Sequence, residues 1–317
     1  MFIAQAYKGK YEGWKYVMGF LVSFVFGAQI IGAISFTVAV FYKKWKAGQG
    51  FHMSDINSML TVLDPNTTLL LMLLPFVVGL VILYFWVQKI HKQSFTSLTT
   101  SRKNMDWKRV FFAFSLWAMV TIVMVVVDYQ MSPDDYVWNF ELNKFLGLLV
   151  IAILLVPLQT SFEEYLFRGY LMQGIGMAVK NRWVPLLVTS FIFGMMHIAN
   201  PEVDKIGYII MVYYIGTGLF LGILTLMDEG MELALGFHAA NNLITALLVT
   251  SNWTAFQTNS ILKDMSEPST GIDVLIPVFV VFPILLLIFA KKYNWNNWKD
   301  KLTGKVLSEE NFLIAER

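Results

Sequence analysis

Two adjacent glutamates and an arginine stand out because they border an apolar part of the chain. Glu163, Glu164 and Arg168 follow an apolar run that ends near residue 162. On a helix, Glu164 and Arg168 share one face, whereas Glu163 is rotated away by about 100°. Arg168 can therefore neutralise Glu164 and leave Glu163 to act as a general base or acid. The alternative is a salt bridge at an interfacial helix end, without a catalytic role.

Two histidines and a pair of asparagines lie in later apolar segments. His197 follows Phe193 by four residues, and His238 precedes Asn242 by four, so each pair shares a helical face. Asn241 adds a second carboxamide beside Asn242. For His197 the alternative is a buried imidazole that is hydrogen-bonded to a carbonyl group. For His238 and the asparagines it is polar contact that holds two helices together.

Together, these side chains have the chemistry needed to hydrolyse an amide bond. A carboxylate and two imidazoles can activate water, and a carboxamide can stabilise the oxyanion that follows. Glu163, His197 and His238 could equally bind a divalent metal such as zinc, with water as a further ligand. The sequence has no cysteine, which excludes thiolate ligands and a cysteine nucleophile. A metal-dependent and a metal-free glutamate mechanism both stay open.

The composition identifies the setting of these residues as a membrane. Of the 317 residues, 56% are hydrophobic and only 15% are charged, and the mean hydropathy is +0.58. A soluble domain carries about 25% charged residues. The near balance of 24 basic and 22 acidic residues gives no basic face for nucleic acid, so we expect no nucleic-acid partner.

The positions of the apolar runs predict an all-α protein with about eight transmembrane helices. The predicted spans are 16–42, 68–88, 110–128, 145–162, 183–199, 206–227, 231–250 and 272–290. We count the lysines and arginines in the short loops and near the span ends, leaving out Arg168 of the candidate site. Alternating the loops between the two sides then puts 15 of them on the side of both termini and six on the other. The positive-inside rule therefore predicts cytoplasmic termini.

Three further expectations concern the segments 145–180, 251–271 and 291–317. The stretch 145–180 is too long for one simple crossing, so we expect a span continued by an oblique or interfacial helix. The segment 251–271 is rich in turn-forming residues and is predicted to be an external loop. The tail 291–317 mixes aromatic and charged residues, which favours a place on the cytoplasmic surface.

The order of the three motifs resembles a known family. Glu163-Glu164-x-x-x-Arg168, Phe193-x-x-x-His197 and His238-x-x-x-Asn242 follow one another in or beside predicted spans. This set is similar to the CAAX protease and bacteriocin-processing enzyme (CPBP) family, also called the Abi family, and covers about residues 145–250. The resemblance divides one membrane domain into N-terminal helices at 1–144, a catalytic core at 145–250, and a loop, last helix and tail at 251–317.

The resemblance implies an intramembrane endopeptidase, a hydrolase often labelled a metalloprotease, with a cavity that opens to the cytoplasm. Glu163 would be the catalytic carboxylate and act with His197 on water, while His238 and Asn242 would stabilise the oxyanion. Glu164, Arg168, Phe193 and Asn241 would support them. A bacterial cytoplasmic membrane is the expected location, and a membrane-associated or lipidated protein or peptide is the expected substrate.

Two other function classes stay open on the sequence. A non-proteolytic membrane scaffold or immunity protein could use the same fold to bind a protein partner. A proton-coupled transporter could use Glu163 and the histidines as a relay, but the absence of a recognisable internal repeat counts against it.

Overall fold

The computed structural model describes residues 1–49, 56–268 and 272–315, and helices make up most of them. The helices are α1 (Gly13–Lys46), α2 (Ile56–Leu60), α3 (Pro65–His91), α4 (Phe95–Thr99), α5 (Trp107–Met131), α6 (Leu142–Val179), α7 (Trp183–Met195), α8 (Pro201–Ile206), α9 (Ile210–Asp228), α10 (Glu232–Leu248), α11 (Phe282–Tyr293), α12 (Trp298–Thr303) and α13 (Glu309–Ala315). Short 3₁₀ segments cover Ile3–Lys8, Pro133–Asp135 and Ile272–Val274, and a π-helical turn, Pro277–Val281, precedes α11.

Five helices are long and apolar enough to cross a membrane: α1, α3, α5, α6 and α9. A perpendicular crossing needs about 20 residues. Helix α7 has 13 residues and α10 has 17, and the predicted last span 272–290 folds as short 3₁₀ and π segments followed by the 12-residue α11. The fold is therefore that of a helical membrane protein, while the count of eight spans stays a prediction.

Helix α6 is one continuous helix of 38 residues, so the predicted span 145–162 is continued by further helix, whose oblique or interfacial position stays a prediction. At about 1.5 Å per residue it is roughly 57 Å long, nearly twice the thickness of the hydrocarbon core. Its hydrogen-bond ladder widens into a π-helical segment at Tyr165–Leu171, directly after the glutamate pair. Such π-segments often occur at functional sites, because they redirect the side chains that follow them.

Helix α10 packs against both α5 and α6, and α9 packs against α7. Close approach depends on glycine at two of these contacts. A Cβ atom on Gly236 of α10 would lie 2.0 Å from the Val110 carbonyl oxygen of α5. A Cβ atom on Gly218 of α9 would lie 2.7 Å from the Ser190 carbonyl oxygen of α7. Helices α10 and α7, which carry two of the three motifs, thus lie backbone to backbone against α5 and α9.

Several chain segments meet at one end of the molecule, which we call the terminal face. It contains the segment Ile3–Lys8, the chain between α3 and α5, the turns after α6 and α9, and the tail from α12 onwards. The Glu229 carboxylate after α9 pairs with Arg182 at 3.2 Å and with Lys301 at 2.7 Å. The Tyr7 and Phe312 rings lie 5.7 Å apart. Every second connection along the chain therefore lies on one side of the fold.

A small sheet joins other connections, and it was not expected in an all-α protein. Strands β1 (Tyr136–Trp138), β2 (Val249–Ser251) and β3 (Leu262–Asp264) have the order β1-β3-β2. Strand β3 pairs antiparallel with β1 and parallel with β2. The segment 251–271 is therefore only partly a loop, and its last residues, 269–271, lie outside the described residues.

Candidate active site

The buried Glu164–Arg168 pair forms the floor of the candidate site. Arg168 Nη1 donates to Glu164 Oε1 at 3.0 Å, and both side chains are fully buried. Arg168 Nη2 also donates to the Gly218 carbonyl at 3.2 Å, and its guanidinium lies 4.2 Å from the Phe193 ring centroid. A buried charge needs such compensation, because an isolated one is strongly destabilising. The pairing expected from the i,i+4 spacing is confirmed.

His238 lies between the two glutamates. Its Nδ1 is 2.7 Å from Glu164 Oε1, and its Nε2 is 3.5 Å from Glu163 Oε2. The Glu164 carboxylate is held by Arg168, so it acts as the acceptor and His238 Nδ1 as the donor. The distance from Nε2 to Glu163 exceeds the 2.7–3.2 Å range of a direct hydrogen bond. Glu163 keeps 14% of its side chain exposed, whereas Glu164 keeps none.

A buried glutamine connects the first motif to the third. Gln159 Nε2 donates to Glu163 Oε1 at 2.8 Å, and Gln159 Oε1 accepts from Asn242 Nδ2 at 3.0 Å. Asn241 Nδ2 donates to Asn242 Oδ1 at 3.0 Å. The sequence analysis missed Gln159, although it lies four residues before Glu163 and therefore on the same helical face. The two asparagines and the glutamate thus belong to one hydrogen-bonded group.

His197 reaches this group through aromatic contacts. It lies just beyond the end of α7 at Met195, so the helix is shorter than the predicted span 183–199. Its Nδ1 is 2.9 Å from the Phe193 carbonyl, and its ring stacks on the Tyr214 ring with centroids 4.5 Å apart. The Phe193 ring lies 5.9 Å from the His238 ring. No hydrogen bond or ion pair joins His197 to Glu163 among the described residues.

A carbonyl oxygen can only accept, so His197 Nδ1 carries the hydrogen in that contact. In the neutral ring, Nε2 then carries the lone pair. His238 follows the same rule, because its Nδ1 is committed to Glu164. Each histidine is therefore oriented through Nδ1 by the protein and has Nε2 for chemistry. Tyr214 is a second residue that sequence reasoning missed, since its contact depends on how α9 packs against α7.

The three residues predicted to bind a metal ion, if one is present, do not form a metal site among the described residues. Glu163, His197 and His238 were the candidates, and no group of three His, Asp or Glu side chains suited to a metal ion occurs among the described residues. The arrangement thus does not fit a three-ligand metal centre, and the metalloprotease label has no support.

Comparison with known proteins points to the same part of the chain. Residues 142–244 match the family model described as type II CAAX prenyl endopeptidase Rce1-like. The chain is also similar to the uncharacterized protein YyaK of Bacillus subtilis (strain 168), with 29% identity over 239 residues, or 75% of this chain and 78% of the relative. No solved structure matches.

The matched segment contains all three motifs and the helices α6 to α10 that carry them, apart from the last residues of α10. The resemblance first stated from the motifs is therefore confirmed, while YyaK adds no activity of its own because its name records none. Over its segment 142–244, the chain is thus similar to the type II CAAX prenyl endopeptidase Rce1-like family, and the similar segment includes all three motifs.

Proposed function

We propose that this protein hydrolyses a peptide bond of a membrane-associated protein or peptide, with Glu163 as the carboxylate that activates water. The observation that carries the proposal is the joining of two motifs by side-chain contacts inside the family-matched segment. Glu163 faces His238 across 3.5 Å and connects to Asn242 through Gln159. Contacts of this kind between helices α6 and α10 are what a shared catalytic centre requires.

Glu163, rather than Glu164, is suited to act on the substrate. The Glu164 carboxylate is fully buried and engaged by Arg168 and His238. Glu163 is partly exposed, and only its Oε1 atom accepts a hydrogen bond from the protein. Its Oε2 atom can therefore take a proton from water as the water oxygen attacks the scissile carbonyl carbon.

The remaining groups hold the water and the developing negative charge. His197 Nε2, which the contact of Nδ1 with the Phe193 carbonyl leaves with the lone pair, accepts a hydrogen bond from the attacking water. One hydrogen of the Asn242 amide stabilises the oxyanion of the tetrahedral intermediate, and His238 joins it in the form that carries a hydrogen on Nε2 as well as on Nδ1. Glu163 then returns its proton to the leaving nitrogen as the C–N bond breaks. The products are a new carboxyl terminus and a new amino terminus.

An apolar groove beside the site supports a substrate that reaches it from the bilayer. The groove has a volume of about 400 Å³ and lies between α3 and α6. It is lined by Leu80, Val81, Tyr84, Phe85, Phe95, Leu158, Ser161 and Tyr165. Ser161 and Tyr165 place this groove at the level of Glu163 along α6, on another face of the helix. A transmembrane segment, a leader peptide or a lipidated tail all have the required apolar character.

The site is proposed to open towards the cytoplasm of a bacterial cytoplasmic membrane. Support comes from the terminal face. Every second connection along the chain lies there, and this arrangement is required if the chain crosses the membrane eight times with both termini on one side. The Arg182 and Lys301 contacts with Glu229 lie there. Lysine and arginine in short loops favour the cytoplasmic side.

The function is tested by comparing new peptide termini in native membranes. The membranes are incubated with purified wild-type protein or with Glu163→Gln, which keeps the shape of the side chain, and the termini are identified by mass spectrometry. We expect termini that only the wild type produces, and these would reveal the substrate class. Identical termini from two folded proteins would contradict the proposal and favour the non-proteolytic scaffold.

A further inference from the structure

A continuous row of hydrogen bonds runs from helix α5 to the Glu163 carboxylate. Trp117 Nε1 donates to Asn241 Oδ1 at 3.0 Å, and Asn241 Nδ2 donates to Asn242 Oδ1 at 3.0 Å. Asn242 Nδ2 donates to Gln159 Oε1 at 3.0 Å, and Gln159 Nε2 donates to Glu163 Oε1 at 2.8 Å. Three carboxamides thus connect an indole on α5 with the carboxylate on α6 by way of α10.

The two ends of this row fix the direction of every hydrogen bond in it. An indole N–H can only donate, and an ionised carboxylate can only accept. Each carboxamide between them must therefore turn its oxygen towards Trp117 and its nitrogen towards Glu163. Reversing any one amide would put two acceptors or two donors in contact. The orientation of these amides, which is usually ambiguous, is thus determined by the chemistry of the row.

We propose that Trp117, Asn241 and Gln159 form a carboxamide relay that positions Glu163 and Asn242 for hydrolysis. This inference rests on the proposed function for the roles of Glu163 and Asn242. The relay members are positioning residues, since they act through these two side chains. Trp117 and Gln159 are almost fully buried, at 5% and 3% exposure, so water competes poorly for their polar atoms.

The relay has two consequences for the reacting groups. It holds Glu163 by Oε1 alone, which leaves Oε2 directed towards His238. It also uses one of the two Asn242 amide hydrogens, and the other stays available for the oxyanion. Because the dipoles of the three carboxamides point the same way, each hydrogen bond strengthens the next.

The first test removes the middle of the relay and compares it with a matched control. Gln159→Met keeps the approximate volume but removes both hydrogen bonds. Gln173→Met serves as the control, because Gln173 is a buried glutamine on the same helix whose partners are Gln93 and the Ser97 carbonyl. We expect Gln159→Met to lower kcat by about ten- to one-hundred-fold with little change in KM. Gln173→Met should lower thermal stability and leave kcat unchanged.

A second test asks whether the distant end of the relay acts through its middle. Trp117→Phe should lower kcat by about three- to ten-fold in the wild-type background, because Asn241 loses the donor that orients it. In the Gln159→Met background, where the relay is already cut, Trp117→Phe should have no further effect on kcat. Additive effects of the two substitutions would overturn the relay, since they would show independent actions.

A spectroscopic measurement without substrate separates failure of the relay from failure of the proposed function. The infrared carboxylate stretch of Glu163 is assigned as the band that Glu163→Gln removes. We expect both Gln159→Met and Trp117→Phe to shift this band, whereas Gln173→Met should not. An unshifted band in Gln159→Met would overturn the relay whether or not the wild type cleaves peptides. A shifted band without peptide cleavage would support the relay and contradict the proposed function.

Discussion

At the scale of single residues, two neighbouring glutamates have opposite surroundings. Glu164 is enclosed by Arg168 and His238, whereas Glu163 keeps a partly exposed carboxylate that the protein holds by one oxygen. The difference arises from the helical rotation of about 100° between consecutive residues, which gives the two side chains different surroundings. Substitution at the two positions should therefore have separable effects.

We expect Glu163→Gln to abolish turnover and leave the thermal unfolding temperature close to that of the wild type. Glu164→Gln should instead lower stability by about 3–5 kcal/mol, because it leaves the fully buried Arg168 without its counter-charge. Thermal unfolding in detergent and peptide cleavage, measured on the same preparations, would separate the two effects. A stable and inactive Glu164→Gln protein would show that the buried pair has a catalytic rather than a structural role.

The ion pair between Glu164 and Arg168 could be predicted from the sequence, but the carboxamide relay could not. A spacing of four residues on a helix dictates that Glu164 meets Arg168. The contacts of Gln159 with Asn242, and of Trp117 with Asn241, depend on which helices are neighbours and at what depth they cross. No local pattern encodes that information, and a polar residue among apolar ones was the only available signal for Gln159.

At the scale of helices, five predicted spans form helices long enough to cross a membrane among the described residues, and the shorter ones stay predictions. The five helices of sufficient length coincide with predicted spans because about 20 consecutive apolar residues seldom have another explanation. The run 272–290 is divided into shorter helical segments, in part because Pro277 and Pro283 each lack the N–H group that a regular helix needs, and its crossing of the membrane stays a prediction. The sheet was missed because strands of three residues are too short to show an alternating pattern.

The glycine contact between α10 and α5 gives a test of helix packing. Gly236→Ala would place a methyl group against the Val110 carbonyl oxygen, so the two helices must separate. We expect a stability loss of about 1–3 kcal/mol, together with reduced activity because α10 carries His238. Gly13→Ala is the control, since a Cβ atom there meets nothing within 4 Å. Equal unfolding temperatures for the two variants would contradict the tight packing of α10 on α5.

At the scale of the whole molecule, Glu229 joins segments that are distant in sequence. Burial raises the pKa of Glu229, but Arg182 and Lys301 lower it further than burial raises it, so the pKa lies below its ordinary value. A lowered carboxyl pKa stabilises the fold above the ordinary glutamate pKa of about 4.3. This stabilisation is lost as the pH falls through the lowered pKa and the carboxylate is protonated.

We therefore expect the unfolding temperature of the wild type to fall on acidification below about pH 4.5 more steeply than that of Glu229→Gln. The variant lacks the titrating carboxylate, so its remaining pH dependence comes from other groups. Near neutral pH, the variant should be the less stable of the two proteins, because Arg182 and Lys301 lose their shared partner. Parallel pH profiles would show that these contacts contribute nothing to the fold.

The small sheet has a mechanical consequence for α6 and α10, the helices that carry Glu163 and His238. Strand β1 leads into α6, strand β2 continues α10, and β3 is hydrogen-bonded between them. The start of α6 and the end of α10 are therefore joined by strand hydrogen bonds, away from the terminal face. They cannot separate at that end without breaking strand hydrogen bonds. Helices α6 and α10 therefore keep a fixed position relative to each other. A peptide must then be admitted past helices outside this pair, among them α7, which ends before His197.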